Sequence, residues 1–194
     1  MPKMLTRENI LANQAFYATE IKKGRIFIYP TDTLHGLGAN AQDNESIKKI
    51  IALKKRSDKA FLVIAPSLEW VFENCLLANE EIKKLLIEKL PGPYSFILKL
   101  KNIQAISPLA LNFGETIGVR LPNNWFSKII EESGVPFVST SINYAGEPSA
   151  KSIENIPKAI LESVDYVIWD DASSSGKAST IFDVTNGTPK ILRK

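Results

Sequence analysis

The stretch RIFIYPTDTLHGLG, residues 25–38, decides the fold. Its first part, Arg25–Tyr29, is rich in β-branched and aromatic residues and is ended by Pro30, which predicts a short buried strand. The polar turn Thr31–Thr33 follows, and a glycine-bearing loop is predicted from Leu34 to Ala41. The sequence therefore predicts a strand that delivers a polar loop.

The segments on either side of this stretch alternate between helical and extended patterns. Before it, apolar residues at near-helical spacing follow Thr6 and predict one helix that ends at Lys22–Gly24. After it, we predict a helix capped by Asp43 or Asn44, a strand over 61–64, helices over 68–73 and 80–89, strands over 95–100 and 116–121, a helix over 125–133, a strand over 136–140, a helix after Pro157 and a hairpin over 180–193. This order predicts an α/β fold, a single domain over residues 1–194 with a mixed rather than a purely parallel sheet. The Ser-rich stretch Asp171–Ser179 is too long for a tight turn and is a candidate lid.

Length, charge and cysteine content limit the class of protein. A chain of 194 residues has room for one proper core, and its net charge of +3 is too small to indicate general affinity for nucleic acid. Cys75 is the only cysteine, so no intrachain disulfide forms and a reducing compartment is favoured. No segment approaches the roughly 18 apolar residues of a membrane span. We therefore expect a soluble cytoplasmic protein with no membrane partner.

Three features resemble known functional motifs, but their sequence context argues against a dinucleotide site, a P-loop and a His-rich metal site. Gly36–Ala41 matches the loose dinucleotide pattern G-x-G-x-x-A, but Pro30 to His35 separate it from the strand and no helix follows at once. Gly176–Ser179 ends like a P-loop, yet Asp171 stands where that motif has its first glycine. His35 is the only histidine, so we predict no His-rich metal site and interpret this ring as packed or solvent-touching.

Polar residues that follow predicted strands indicate an anionic ligand. Arg120 lies at the end of an apolar strand, so its guanidinium is held on a rigid element and can bind an anion. The alternative is that Arg120 forms a salt bridge in the core. Ser139–Asn143 brings small donors and acceptors to the mouth of the next strand, although turn-forming hydroxyls have the same composition. Further cations crowd the end of a helix and the turn after it: Lys54, Arg56 and Lys59. Together these groups predict an anion, with phosphates, that is held without a P-loop.

Five motifs in the same order resemble the YrdC-like threonylcarbamoyl-adenylate synthases in their short form, without an extra C-terminal domain. They are Tyr29–Gly38, the pair Lys54 and Arg56, Pro91–Pro93, Gly118–Arg120 and Ser141–Asn143. The resemblance runs from about Gly24 to Arg193. It implies a twisted α/β sheet around a concave, positively charged cavity. It also implies that L-threonine, bicarbonate and ATP react to threonylcarbamoyl-adenylate and pyrophosphate, for the threonylcarbamoyladenosine modification of tRNA.

The resemblance also implies roles for individual residues. Threonine would be bound by Thr31, Arg120, Ser139 and Ser179. ATP would be bound by Arg56, Lys59, Thr116, Ser141, Ser149 and Arg193. The catalytic set would be Lys54, Arg56, Ser141 and Asn143, the family's Lys-x-Arg and Ser-x-Asn pairs. ATP would act as a substrate with Mg²⁺, no cofactor would be tightly bound, and a tRNA-modifying transferase would be a partner.

Chemistry is consistent with these roles. The amine of threonine takes up bicarbonate or carbon dioxide, and the new carboxylate attacks the α-phosphate, so the substrate itself supplies the nucleophile. The protein needs only to align two anions and to stabilise the departing pyrophosphate, which suits lysine and arginine.

The sequence departs from the family at three places, and two alternative functions stay open, one from the positive cavity and one from the departure at His35. His35 stands where the family usually has tyrosine or phenylalanine, Tyr94-Ser95 replaces a more usual Leu-Thr, and the turn between Arg56 and Lys59 is one residue shorter. The first alternative is a non-catalytic YrdC-like protein that binds RNA or ribosomes. The second is a YrdC-like paralogue that acts on a different carbamoyl acceptor.

Overall fold

The computed structural model describes residues 1–55, 60–112 and 114–194. Within these residues the chain forms one eleven-stranded sheet and seven α-helices. The strands are β1 (Lys3–Leu5), β2 (Phe27–Tyr29), β3 (Gly36–Asn40), β4 (Leu62–Ile64), β5 (Cys75–Leu76), β6 (Tyr94–Leu100), β7 (Thr116–Arg120), β8 (Phe137–Ser141), β9 (Tyr166–Ile168), β10 (Thr180–Asp183) and β11 (Lys190–Arg193). The helices are α1 (Arg7–Leu11), α2 (Gln14–Lys22), α3 (Asn44–Lys54), α4 (Leu68–Asn74), α5 (Glu80–Lys89), α6 (Ser127–Ser133) and α7 (Lys158–Ser163). Every helix in these described ranges is too short to cross a lipid bilayer.

The sheet is mixed, as predicted. Its strands lie in the order β1-β9-β2-β3-β8-β4-β7-β6-β10-β11, and β5 pairs with β6 outside this path. The pairs β1–β9, β2–β9, β4–β7 and β6–β10 are parallel, and the remaining pairs are antiparallel. The predicted C-terminal hairpin is confirmed, since β10 and β11 pair antiparallel. The centre of the sheet, β3-β8-β4-β7, combines strands that are far apart in the sequence and so gathers distant loops.

The loop predicted over Leu34–Ala41 is wrong, because Gly36–Asn40 forms β3 in the centre of the sheet. Gly38 explains why this strand needs glycine: a Cβ there would overlap the backbone oxygen of Val138. A Cβ at Gly36 would come within 2.8 Å of the Tyr29 ring. Glycine therefore permits close approach of neighbouring strands here rather than forming a turn.

The single helix predicted after Thr6 is also wrong, since it divides into α1 and α2. Thr6 caps α1 through its side chain, and the chain leaves the helical conformation at Asn13, where φ is −141° and ψ is 44°. The break changes which residues of α2 face the core. Phe16, expected on the apolar face, is 50% exposed, while Tyr17 and Ile21 are buried.

Alternation along the strands divides the core between the two faces of the sheet. Phe27 and Tyr29 of β2 pack with aromatic and aliphatic residues of α2 and α6, whereas Ile28 packs on the opposite face. In β8, Phe137 joins the first of these clusters and Val138 the second. Because side chains alternate along a strand, Ser139 shares a face with Phe137.

Candidate active site

A cavity of about 530 Å³, here the first cavity, opens beside the central strands. It includes all four residues expected to bind threonine and two of those expected to bind ATP. These are Thr31, Arg120, Ser139, Ser179, Ser141 and Arg193. The structure thus brings together six predicted residues from the Thr31 turn, β7, β8, the end of the 171–179 segment and β11.

The turn after β2 holds a directed chain of hydrogen bonds. The hydroxyl of Thr31 donates to the backbone oxygen of Leu34 at 2.7 Å and accepts from the backbone N–H of Thr33 at 3.1 Å. The two hydroxyls of Thr31 and Thr33 lie 2.9 Å apart. Since Thr31 has already donated its proton, Thr33 is the donor in that contact. The Thr31 hydroxyl is then saturated, so its place in the site is to orient Thr33.

Arg120 donates a hydrogen bond to Thr33, at the other end of this chain of hydrogen bonds. Its Nη1 donates to Thr33 Oγ1 at 2.8 Å, and its Nη2 forms an ion pair with Asp32. Arg120 is only 5% exposed, and its Nε is buried with no hydrogen-bond partner in the described residues. Burial lowers the pKa of Arg120, while the charge of Asp32 opposes that shift. A buried guanidinium N–H without a partner is costly, and an acceptor on a bound anion would satisfy it.

The serine residues of the first cavity are held from behind by other side chains. Tyr29 donates a 2.6 Å hydrogen bond to Ser139 Oγ. Ser95, which is fully buried, lies 2.9 Å from Ser179 through the two hydroxyl oxygens. Arg193 donates to the backbone oxygen of Ser179 from Nε and Nη2, at 3.0 and 2.9 Å. The side chains of Ser139 and Ser179 are therefore each hydrogen-bonded to a buried neighbouring residue.

Three of the four predicted catalytic residues form one hydrogen-bonded cluster. The ammonium group of Lys54, 2% exposed at the end of α3, donates to the backbone oxygen of Ser141 at 2.6 Å and to the side-chain oxygen of Asn143. Asn143 also accepts from the Ser141 hydroxyl at 2.6 Å. Ser149 extends the cluster, since its hydroxyl accepts from the backbone N–H of Ile142 at 3.3 Å. The fourth member, Arg56, lies outside the described residues, as does Lys59.

A second cavity of about 470 Å³ adjoins the first, and the two share Thr33, Leu34 and His35. Ser149 and Lys151 line the second cavity only. This arrangement separates the predicted ATP ligand Ser149 from the threonine group but keeps both on one continuous surface.

His35 forms the boundary between the two cavities. Its ring stacks on Trp169 with centroids 3.9 Å apart, and its Nε2 accepts from the backbone N–H of Asp170 at 3.1 Å. Burial is the main cause that lowers the pKa of His35, with Asp171 and Asp170 opposing it. The ring is therefore neutral at neutral pH and carries its proton on Nδ1. The interpretation of His35 as a packed residue is confirmed, although it also lines the site.

The candidate lid lies against the Thr31 turn. Ser174 Oγ donates to the backbone oxygen of Thr31 at 2.7 Å. The backbone N–H groups of Ser175 and Gly176 donate to the backbone oxygens of Asp32 and Thr33, at 3.1 and 2.8 Å. The segment thus forms one wall of both cavities.

One residue to which the resemblance assigned a role lies away from the first cavity, and four supporting residues had no predicted role. Thr116, expected to bind ATP, is exposed at the opposite end of β7 from Arg120 and does not line the first cavity. The supporting residues Tyr29, Asp32, Thr33 and Ser95 were given no role in advance. Asp32 and Thr33 stand next to Thr31 in the opening motif, which was the available signal. The supporting role of Ser95 depends on the parallel pairing of β6 with β10.

The fold is of the α/β class, with a mixed sheet and a cavity lined by hydroxyl and guanidinium groups beside its central strands. A family model described as "Telomere recombination", that of the Sua5, YciO and YrdC proteins, matches residues 19–194. The chain belongs to this family. The predicted family and fold are therefore confirmed.

Curated relatives have names that agree with this membership. A putative threonylcarbamoyl-AMP synthase of Methanocaldococcus jannaschii is 35% identical over 170 residues, which cover 87% of this chain and 79% of that protein. The threonylcarbamoyl-AMP synthase of Pyrococcus abyssi is 30% identical over 176 residues, 89% of this chain and 51% of that protein. The chain thus spans about half the length of the Pyrococcus relative.

Solved structures agree as well. The crystal structure of P. abyssi Sua5 complexed with L-threonine superimposes with a TM-score of 0.85 at 26% identity, covering 100% of this chain and 57% of that chain.

Proposed function

We propose that this chain is an L-threonylcarbamoyladenylate synthase, which converts L-threonine, bicarbonate and ATP to threonylcarbamoyl-AMP and pyrophosphate. The observation that carries the proposal is the buried Arg120, which lines the first cavity with Ser139 and Ser179 and whose Nε has no hydrogen-bond partner among the described residues. An amino-acid carboxylate supplies the acceptor that this group lacks. The names of the curated relatives, and the threonine complex of the Pyrococcus protein, support the same ligand.

The threonine would lie in the first cavity with its carboxylate on Arg120. The hydroxyls of Ser139 and Ser179 are already oriented by Tyr29 and Ser95, so they can bond polar atoms of the substrate with little loss of side-chain entropy. Thr31 would contribute through the arrangement of Thr33 rather than through its own hydroxyl. The amine of the substrate would then attack the carbon of bicarbonate, so that the C–N bond of a carbamate forms and one C–O bond breaks with release of water.

ATP would lie beside the threonine, towards Ser141, Asn143 and Arg193. Lys54, held against Ser141 and Asn143, supplies a positive charge near the phosphates, and Arg56 and Lys59 are proposed to add two more. The magnesium ion would enter with the triphosphate as part of the substrate, since phosphate oxygens are ligands that it prefers. Attack of the carbamate oxygen on the α-phosphorus forms the new P–O bond, and the bond to pyrophosphate breaks. Cations that stabilise the departing pyrophosphate lower the barrier for this step.

The product is a reactive mixed anhydride, so a tRNA-modifying transferase in the same compartment is the proposed consumer. We place the protein in the cytoplasm. The charge of the cavity is proposed to be positive, from Arg120 and Arg193 in its lining and Lys54 behind it.

The test is pyrophosphate release by the purified protein with MgATP. Release should require both L-threonine and bicarbonate, and release without either one would contradict the proposal. Competition by other amino acids against labelled threonine would identify a paralogue with a different acceptor, because another amino acid would then be preferred. Salt-dependent RNA binding without any affinity for ATP would favour the non-catalytic alternative.

A further inference from the structure

Asp32 joins two parts of the site through a single carboxylate. One oxygen forms the ion pair with Arg120 Nη2, and the other accepts from the backbone N–H of Asn123 at 3.0 Å. The side chains of Arg120 and Asp32 are 6% and 12% exposed, so this pair is shielded from solvent. The carboxylate therefore links the Thr31 turn to the end of β7 and to the chain just beyond it.

The guanidinium of Arg120 is held at both ends. Thr33 accepts from Nη1, and the chain of hydroxyls from Thr33 through Thr31 to the Leu34 oxygen has a fixed direction. Asp32 accepts from Nη2. With both terminal nitrogens engaged, the plane of the guanidinium is fixed, and Nε has no hydrogen-bond partner within residues 1–55, 60–112 and 114–194.

We propose that Asp32 is a positioning residue for substrate recognition: by holding Nη2 of Arg120, it fixes the orientation in which the guanidinium meets the carboxylate of the amino-acid substrate. The proposal rests on the proposed function, because it requires that the ligand of Arg120 is an amino acid. Asp32 acts through Arg120 and does not itself contact the substrate. Its own charge would repel a carboxylate, so its contribution is orientation.

The negative charge of Asp32 makes the proposal testable, because charge and orientation predict opposite changes in carboxylate affinity when Asp32 is replaced. If Asp32 acted only through its charge, its removal would make the cavity more positive and strengthen the binding of a carboxylate. If Asp32 orients Arg120, its removal weakens that binding. An asparagine at this position offers one acceptor oxygen where two N–H donors, from Arg120 and Asn123, require one each. Either orientation of the amide thus breaks one of the two bonds.

The experiment compares L-threonine with L-threoninamide, which lacks the carboxylate. The dissociation constants of both are measured by calorimetry for the wild type and for Asp32→Asn, and their ratio reports carboxylate recognition alone. We expect the preference for threonine to fall about tenfold in Asp32→Asn, the scale of one charge-assisted hydrogen bond. A preference that is unchanged or larger in the variant would overturn the positioning role.

Asp165 provides a matched control outside the site. Its carboxylate also accepts from an arginine and from a backbone N–H: Arg25 at 3.2 Å and Ile26 at 2.8 Å. Asp165→Asn should lose stability to a similar degree and keep the preference for threonine. An equal loss of preference in both variants would mean that Asp32 acts only through general stability.

Thr33→Val keeps the test valid if Asp32→Asn does not fold. Valine has nearly the same volume but cannot accept from Nη1, so the other end of the guanidinium is released. The preference for threonine should fall again, and an unchanged preference would count against a fixed guanidinium. A wild type that binds threonine no better than threoninamide would contradict the proposed function itself, whereas a strong wild-type preference that survives in both variants would overturn only the inference about Asp32.

Discussion

The phenol of Tyr29 donates a hydrogen bond to the hydroxyl of Ser139, with 2.6 Å between the two oxygens. Tyr29 is 1% exposed, and burial raises its pKa, so the hydroxyl keeps its proton at neutral pH and remains the donor. Ser139 accepts this bond and can direct its own proton into the first cavity. A core aromatic residue thus holds a hydroxyl that lines the first cavity.

Tyr29→Phe should weaken threonine binding more than it weakens ATP binding. The substitution removes one hydrogen bond and leaves Ser139 free to rotate, a loss of about 1 kcal/mol, or about fivefold in the dissociation constant for threonine. Calorimetry with each ligand separately provides the measurement. Equal weakening of both ligands would contradict a role specific to Ser139.

Tyr166→Phe is the control for this change. Its hydroxyl donates to Glu20 at 2.8 Å and lines neither cavity. The variant should lose a comparable amount of unfolding free energy while its affinity for threonine stays at the wild-type value.

Gly38→Ala should be strongly destabilising. The added methyl group would overlap the Val138 carbonyl oxygen, so β3 and β8 would have to separate at the point where β8 carries Ser139. We expect a loss of about 3 kcal/mol in unfolding free energy, measured by urea titration. Gly134→Ala is the comparison: its φ is +66° with open space around it, and it should lose about 1 kcal/mol for backbone strain alone. Equal losses would show that contact between the strands is not the cause.

The sequence predicted the mixed α/β class because most elements carry their own local signal. Thr6, Asp43, Ser67 and Asn79 cap helices through their side chains, and Gly134 ends α6 in the left-handed conformation. The central strand β3 carries no such signal. Its two glycines resemble a loop, and they are explained only by the neighbouring strands: the Tyr29 ring of β2 lies against Gly36, and the Val138 backbone oxygen of β8 lies against Gly38. The three-residue strands β1 and β9 are too short to show a periodic pattern.

The residue types of the candidate site could be predicted from the sequence, but the hydrogen bonds and ion pairs among them could not. Arg120 and Ser139 were recognisable because cations and hydroxyls at strand ends bind anions. Asp32, the ion-pair partner of Arg120, lies 88 residues away in the sequence. The two residues meet only because β4 and β8 bring β7 near the turn after β2. Supporting residues such as Tyr29 and Ser95 look like ordinary core or strand residues until the strand register is known.

His35→Phe should make the protein less sensitive to acid. Because the pKa of His35 is lowered by burial from its ordinary value of 6.5, the unfolded chain binds a proton below that pH more readily than the folded chain does. The unfolding free energy of the wild type should therefore fall as the pH drops below 6.5. Phenylalanine can keep the stacking on Trp169 but has no proton to bind, so the variant should lack this component.

Urea titrations of both proteins at several values between pH 5 and pH 8 would measure this difference. His35 is the only histidine, so the difference between the two proteins isolates its titration from that of the carboxylates. The stability difference should change with pH below 6.5 and stay constant above it. A constant difference over the whole range would mean that His35 has the same pKa in both states.

Arg120→Ala and Lys54→Met should affect the two substrates in opposite ways. Alanine at 120 removes the group proposed to bind the amino-acid carboxylate, so threonine binding should weaken by about a hundredfold and ATP binding by less than threefold. Methionine at 54 keeps the length of the side chain but removes the charge that holds Ser141 and Asn143, so ATP binding and turnover should fall while the affinity for threonine changes little.

Separate calorimetric titrations with threonine and with MgATP, supported by pyrophosphate release, would measure both effects. Thermal unfolding of each variant shows whether the fold is intact, which matters because both side chains are buried. If each variant lost affinity for both substrates to the same extent, the two groups of residues would form one undivided site, and the assignment of threonine to Arg120 and ATP to the Lys54 cluster would be wrong.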